Sequence, residues 1–276
     1  MARTYQEVLS RASSFLEEQG KEGYAIQYLF LARKNWSKTD WLLNMRQPIS
    51  KEEEQQIERD VALLMQNHPP QYLIGTEEFY GRRFKVNQHT LIPRPETEEL
   101  VELCLTNCSN EALRVVDVGT GTGAIAITLK LERPKWQVSA VDISPEALLV
   151  AKENKEALKA AVDFYLGDTL APIEGPIDVL ISNPPYISES EWEYMDESVR
   201  LFEPKLALFA ENNGLAIYEK LAQEAQGKLS PQGKIFLEIG FQQGEAVKEI
   251  FQQAFPTKIV EIHQDLSGKD RMVVVY

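Results

Sequence analysis

Leu113-Arg114-Val115-Val116-Asp117-Val118-Gly119-Thr120-Gly121-Thr122-Gly123 is the stretch that decides the fold. Leu113, Val115, Val116 and Val118 make residues 113–118 mainly apolar, which reads as a buried strand. Alternate glycines follow, and a helical pattern starts after Gly123. Glycine permits the tight turn and lets a ligand lie against the backbone, and the helix N-terminus offers free N–H groups. Gly119-x-Gly121-x-x-Ala124 also satisfies a loose dinucleotide fingerprint. Asp117 tips the balance. A carboxylate there repels a pyrophosphate but suits the cationic amino end of a methionine moiety. Asp117, Gly119, Thr120, Gly121, Thr122 and Gly123 are therefore expected to hold S-adenosylmethionine.

Working outward, the chain keeps alternating between strand and helix. Strand 138–142 precedes a helix from Pro145, and shorter apolar runs follow at 162–166 and 177–181. A helix near 215–229 precedes strand 234–239, another helix follows, and runs 258–262 and 272–276 close the chain. The pattern predicts an α/β, Rossmann-like domain with a mostly parallel seven-stranded sheet, helices on both faces and an antiparallel hairpin at one edge. Asp142 ends the second strand, where a carboxylate can accept both hydroxyls of a ribose. Asp168, followed by Thr169, ends the third and is a candidate acceptor for an adenine amino group.

Upstream, residues 1–75 read as a small helical bundle. Tyr5, Val8, Leu9 and Phe15 mark one apolar face, and Ala25, Tyr28, Leu29 and Leu31 another. A third helix starts near Ser50, with Glu53 as its capping-box partner, and stops at His68-Pro69-Pro70. Residues 76–95 read as a β-hairpin linker around Phe79-Tyr80-Gly81. Residues 96–276 then form the cofactor-binding domain.

Asn183-Pro184-Pro185-Tyr186 follows the strand that ends at 181–182. Ligands of open parallel sheets bind beyond the carboxyl ends of strands, so this motif and the glycine loop should share one crevice. Asn183 offers a side-chain carbonyl, and Pro184 a backbone carbonyl with no N–H. Two acceptors can hold both hydrogens of an NH2 group, the prolines stiffen the segment, and Tyr186 supplies a flat face for a planar amide or base. An amide nitrogen is a poor nucleophile because its lone pair is delocalised. Methyl transfer builds positive charge on it, so acceptors aimed at its hydrogens bind the transition state more strongly than the ground state. No strong base is needed beforehand. His68, His89 and His263 are scattered and read as structural or exposed, and no metal site is expected.

The net charge of −13 over 276 residues argues against nucleic acid as the main partner. Cys104 and Cys108 read as reduced thiols of a cytoplasmic protein. The N-terminus lacks a signal-peptide core, and no apolar run is long enough to span a membrane. Nothing in the pattern calls for more than a monomer.

These residues resemble the PrmC/HemK family of glutamine N5-methyltransferases, which act on bacterial peptide chain release factors. The likeness runs over essentially the whole chain. It includes Pro70 to Gly75, Phe79-Tyr80-Gly81, Leu91 to Glu98, Asp117 to Gly123, Asp142, Asn183 to Tyr186, Glu203-Pro204, Glu238-Ile239-Gly240 and Gly268 to Arg271. The resemblance implies S-adenosylmethionine as methyl donor, the glutamine of a release factor's Gly-Gly-Gln motif as substrate, and the helical bundle as the docking module. Pro93-Arg94-Pro95-Glu96 differs from the Pro-Arg-Ser-Pro of relatives that modify a ribosomal protein, which favours the release-factor branch. Thr169 departs from the aromatic residue many members carry there and cannot stack on adenine. Besides the ribosomal-protein substrate, the rival readings are an adenine-N6 DNA methyltransferase, a binding module without catalysis and a nicotinamide dehydrogenase. The first of these needs basic clamps around a flipped base, yet segment 187–197 carries Glu189, Glu191, Glu193, Asp196 and Glu197.

Overall fold

The structure, a computed structural model, describes residues 3–276. The chain divides into two compact units. The first runs through Thr76 and takes in Asp196–Phe202, and the second comprises Glu77–Met195 and Glu203–Tyr276.

The first unit is helical. Helices α1 (Tyr5–Glu18), α3 (Lys38–Asn44) and α4 (Lys51–Met65) each begin with a reciprocal capping box, Thr4 with Glu7, Ser37 with Asp40 and Ser50 with Glu53. Each box satisfies two N–H groups that the first turn would otherwise leave unpaired. Helix α2 (Tyr24–Lys34) runs between them and ends on Asn35 in the left-handed conformation. Helix α4 ends at Met65, short of the expected stop at His68-Pro69-Pro70: Asn67 turns to φ +64°, and Asn67 N and His68 N donate to the Leu64 and Leu63 carbonyls, while Pro70 opens a short helix, α5 (Pro70–Ile74). Proline has no N–H to lose in a first turn, so it suits the start of a helix. Leu9, Leu16, Ile26, Leu29, Ile57 and Leu64 form the core. Arg33 donates to both oxygens of buried Asp60, at 3.0 and 2.9 Å. The His68 ring lies 4.1 Å from that of Phe202, which ties the helix Glu197–Phe202 to this unit.

The hairpin strands β1 (Thr76–Phe79) and β2 (Arg82–Lys85) are joined by Tyr80-Gly81, both at positive φ as a two-residue hairpin turn requires. After α6 (Pro95–Asn107) the chain runs through β3 (Arg114–Val118), α7 (Ala124–Glu132), β4 (Gln137–Asp142), α8 (Pro145–Leu158), β5 (Val162–Leu166) and β6 (Ile177–Ser182). The helix Ala216–Ala225, β7 (Leu229–Glu238), the helix Gly244–Ala254, β8 (Val260–Gln264) and β9 (Asp270–Val275) complete the unit. The seven strands from β3 onward form one sheet in the order β5-β4-β3-β6-β7-β9-β8. Pairings from β5 across to β7 are parallel, and β9 pairs antiparallel with both β7 and β8. The closing hairpin thus lies at the edge, with its second strand turned inward.

Alternate residues of the continuous apolar strands feed two separate cores. Val115, Val179, Ile181 and Phe236 pack on one face with Leu100, Leu129 and Trp136. Val116, Leu180, Ile235 and Leu237 pack on the other with Tyr218 and Phe251. Burying one such side chain contributes about 1.5–3 kcal/mol, so a one-residue slip of a strand would misplace an entire face. Strand order reverses between β3 and β6, the position at which an open sheet forms a crevice.

Candidate active site

Register brings the two sequence motifs together. Val118 pairs with Ser182 across β3 and β6, and the Ser182 hydroxyl donates to the Val118 carbonyl at 2.6 Å. The residues after them, Gly119 and Asn183, therefore leave the sheet side by side. Gly119 and Gly121 have φ of +72° and +54°, a region open to glycine and costly for other residues. Gly123, at φ +81°, shares that left-handed region, and a Cβ there would also crowd Ile127 Cδ1 at 2.9 Å. The loop is pinned to the neighbouring strand. Gly119 N and Thr120 N donate to the Val141 carbonyl at 2.9 and 3.1 Å, and Gly121 N donates to Asp142 Oδ2 at 2.8 Å.

A cavity of about 250 Å³ opens at these strand ends. Gly119, Gly121, Asp142, Asp168, Thr169, Asn183, Pro184 and Pro185 line it. Five predicted site residues do not. Thr120, Thr122 and Gly123 shape the loop from behind, and Tyr186 faces elsewhere. Asp117 is fully buried; its Oδ2 accepts from the Thr120 hydroxyl at 2.6 Å, and its Oδ1 has no well-formed partner. Burial raises its pKa to about 7, partly offset by the Thr120 hydroxyl and the Ala126 amide. Residues not expected at the site complete the lining, among them Leu206, Phe209, Ile217, His89 and Leu91.

Asp142 holds the loop and faces the cavity at once. Each of its oxygens takes one backbone N–H, from Gly121 on Oδ2 and from Ser144 on Oδ1 at 2.9 Å. A carboxylate oxygen has a second lone pair, so both remain able to accept a hydroxyl. Burial moves its pKa upward, against the pull of those amides. Asp168 pairs with Lys220. Thr169 adopts φ +50°, a strained setting for a β-branched residue. Its hydroxyl donates to Glu224 at 2.7 Å, and the same Glu224 oxygen accepts from Leu170 N at 2.9 Å. Glu224 thus stabilises the conformation that carries Asp168 and Thr169 along the cavity wall. Among the described residues the lining contains two carboxylates and no Lys or Arg. That donor set, the buried unpartnered oxygen of Asp117 behind it and the glycine cradle fit S-adenosylmethionine, a cation bearing ribose hydroxyls, and disfavour a pyrophosphate.

The Asn183 side chain is oriented from behind. Its Nδ2 donates to Thr97 Oγ1 at 3.0 Å, and Thr97 Oγ1 donates to Glu238 Oε2 at 2.6 Å. Asn183 Oδ1 and the Pro184 carbonyl meet no donor among the described residues. Glu238 is fully buried, which raises its pKa to about 7 against the Thr97 hydroxyl and the Arg271 charge. Gln243 Nε2 donates to the Tyr186 carbonyl at 2.9 Å, and Gly240 N donates to Gln243 Oε1 at 3.0 Å. Tyr186 lines a second, open groove with Gly240, Phe241, Gln243 and Arg271. Buried Glu203 accepts from Ile92 N at 3.1 Å and pairs with Arg94, fixing the proline-rich stretch that leads into α6. Thr97, Glu203 and Glu238 lie in motifs the sequence singled out, but periodicity gives such residues no role. Only the fold reveals that Thr97 meets Glu238 and that Glu203 meets Arg94. Among the described residues no group of three His, Cys, Asp or Glu side chains is placed to hold a metal ion.

Comparison with known proteins follows from this geometry. The sequence matches the families described as "Methyltransferase small domain" over residues 97–203 and "PrmC N-terminal domain" over residues 7–75. It is 60% identical over 275 residues to a release factor glutamine methyltransferase of Enterococcus faecalis, covering 99% of both chains. A release factor glutamine methyltransferase of Lactococcus lactis is 47% identical over 255 residues, covering 92% of this chain and 94% of its own. Among solved structures, a methyltransferase from Pyrococcus furiosus superposes with a TM-score of 0.56 at 19% identity. It covers 79% of this chain and 97% of its own, a likeness of fold.

Proposed function

The chain belongs to the family of release factor glutamine methyltransferases, and from that premise we propose that it methylates the side-chain amide nitrogen, N5, of the glutamine in the Gly-Gly-Gln motif of peptide chain release factors, using S-adenosylmethionine. The observation that carries this reading is the pair of unoccupied acceptors, Asn183 Oδ1 and the Pro184 carbonyl, beside the cavity at the β3–β6 crossover. An NH2 group has two hydrogens to give, and these two oxygens receive them. Held this way, the nitrogen keeps its lone pair out of the hydrogen-bonding plane and free to attack. Positive charge that develops on nitrogen strengthens both hydrogen bonds, so the acceptors favour the transition state over the bound substrate.

S-adenosylmethionine, when bound, supplies a methyl group on a positively charged sulfur. Gly119 and Gly121 would leave room for it against the backbone, Asp142 would accept hydrogen bonds from its ribose hydroxyls, and Asp168 and Thr169 would hold its adenine. Asp117 acts from beneath the loop, through its hold on Thr120. Tyr186 forms the wall along which the glutamine side chain enters from the second groove. Leu206, Phe209 and Ile217 give the cavity an apolar wall. The proton that the product nitrogen releases is acidic, so water suffices to take it.

We also propose that residues 1–75 dock the body of the release factor. Adjacent exposed leucines on α3, Leu42 and Leu43, support a contact surface there. The protein is proposed to work as a monomer in the cytoplasm, without contacting nucleic acid. The charge of −13 supports the last point, and no described helix is long and apolar enough to cross a membrane. The decisive test incubates purified protein with release factor and labelled S-adenosylmethionine, then reads the Gly-Gly-Gln peptide by mass spectrometry. A methyl on that glutamine, absent from a glutamine-to-alanine release factor, is the expected result. Label on DNA or a ribosomal protein instead would move the substrate to a rival class.

A further inference from the structure

A primary amide has two ends of nearly equal shape and opposite polarity. In the reaction proposed above, on which this inference rests, only the oxygen end of Asn183 is useful, because the acceptor nitrogen arrives with hydrogens to donate. We propose that Thr97 and Glu238 are positioning residues that fix the Asn183 amide with its oxygen toward the acceptor, through a directional relay of buried hydrogen bonds.

The direction follows from counting protons. An ionised carboxylate can only accept. Glu238 Oε2 takes the one hydroxyl hydrogen of Thr97 at 2.6 Å. The Thr97 oxygen then has lone pairs alone to show to Asn183, so it must be met by Nδ2, as it is at 3.0 Å. Oδ1 is thereby turned the other way. Thr97 and Glu238 are 5% and 2% exposed, so water does not compete for either bond. The three residues come from three elements: the start of α6, the end of β6 and the end of β7. Arg271 from β9, Arg94 and Glu96 from the entry to α6, and the Tyr186 and Tyr218 rings surround the carboxyl. Tyr218 donates to the Glu238 backbone carbonyl at 2.7 Å and holds that strand end in place.

A proton on Glu238 reverses the relay. The carboxyl then donates to Thr97, the Thr97 hydrogen turns toward Asn183, and Oδ1 is drawn inward. The outward group becomes an NH2 facing another NH2, and the site loses an acceptor.

The test is a double-mutant cycle with labelled S-adenosylmethionine and release factor. Thr97→Val should lower kcat about tenfold, the worth of one enforced hydrogen bond, with S-adenosylmethionine affinity unchanged within about twofold. Thr97→Ser, which keeps the hydroxyl, should restore the rate. Glu238→Gln, whose amide can present either end to Thr97, removes the charge that fixes the direction and should lower kcat by less than Thr97→Val does. In an Asn183→Asp background both oxygens accept whichever way the group turns, so Thr97→Val should cost less than about twofold there. A purely structural role would cost the same in both backgrounds. Should Asn183→Asp be too slow to measure, the pH profile decides. Wild-type kcat should rise as Glu238 ionises, and Thr97→Val and Glu238→Gln should be flat over that range. Equal losses in both backgrounds, a Thr97→Val enzyme of normal kcat, or variants that keep the wild-type acid limb would overturn the relay. A wild-type protein that binds S-adenosylmethionine but leaves the glutamine unmodified would instead overturn the proposed reaction.

Discussion

Gly214→Ala should damage catalysis far more than methyl-donor binding. Gly214 has φ +82°, and a Cβ there would lie 2.0 Å from the Tyr186 carbonyl oxygen, 2.8 Å from its carbon and 2.6 Å from Gln243 Nε2. Ordinary contact begins near 3.4 Å, so the oxygen and the new carbon must separate by roughly 1.4 Å. The carbonyl cannot yield cheaply, because it accepts from Gln243 and belongs to the stiff Asn-Pro-Pro-Tyr segment. Alanine in the left-handed region costs about 1–2 kcal/mol, and the forced repacking adds about 1–3 kcal/mol. At about 2–4 °C per kcal/mol for a unit of this size, Tm should fall by roughly 5–15 °C. A displacement of about 1 Å in a positioning segment costs about a hundredfold in rate. Gly119, Gly121 and Asp142 are held by β3 and β4 and are not touched, so S-adenosylmethionine affinity should stay within about threefold. Scanning calorimetry, titration calorimetry with S-adenosylmethionine and steady-state transfer to release factor read the three quantities. Gly227→Ala, whose Cβ meets nothing within 4 Å, is the control and should be near neutral. A Gly214→Ala protein with Tm within about 1 °C of wild type and unchanged kcat would refute the argument that this glycine sets the position of the motif.

Asn183→Ala should keep methyl-donor affinity and lose about 10²–10³ in kcat, the usual effect of removing one group aimed at developing charge; lost affinity with normal turnover at saturation would count against its assigned role. Asp117→Asn should stabilise the protein free of ligand at pH 8 by a few kcal/mol and have little effect near pH 4. The folded pKa of Asp117 is raised to about 7 from 3.8, so between those values the folded chain keeps a proton that the unfolded chain has lost. Stability from this group therefore falls as pH rises through that window, and urea midpoints of wild type and variant across it give the difference. Leu42→Glu with Leu43→Glu should raise KM for intact release factor and leave kinetics on a short Gly-Gly-Gln peptide unchanged; equal effects on both substrates would sink the docking role of the bundle.

Legibility in the sequence followed the range of the interaction. The β3 turn and the capping box of Ser50 with Glu53 are local, and a few residues determine each of them; the end of α4 was expected at the prolines and falls earlier, on left-handed Asn67. The seven-stranded sheet was legible because its apolar runs are long and regularly spaced. Short pieces such as α3, α5 and the helix Glu197–Phe202 escaped because they carry too few turns to show a period. The cavity was legible where a motif leaves a strand end, at Gly119, Gly121, Asp142 and Asn183. It was not legible at Leu206, Phe209 and Ile217, whose irregular or helical segments are brought there only by tertiary packing. Asp117 shows the limit of reading charge without geometry. Its carboxylate was expected at the ligand; in the structure it is fully buried, accepts from Thr120 and is not among the residues that line the cavity. Thr97 and Glu238 are 141 residues apart, and no spacing rule links them.

The paired acceptors also imply when the enzyme stops. Asn183 Oδ1 and the Pro184 carbonyl together match a nitrogen that still owns two hydrogens. Once N5 carries a methyl group, it has one hydrogen left, and the methyl would have to press against one of the two oxygens for the lone pair to face a fresh donor. The product is therefore a poor guest in the site that made it. Transfer ends at the secondary amide without a separate counting device, and mass spectra of exhaustively treated release factor should show a gain of one methyl and no second.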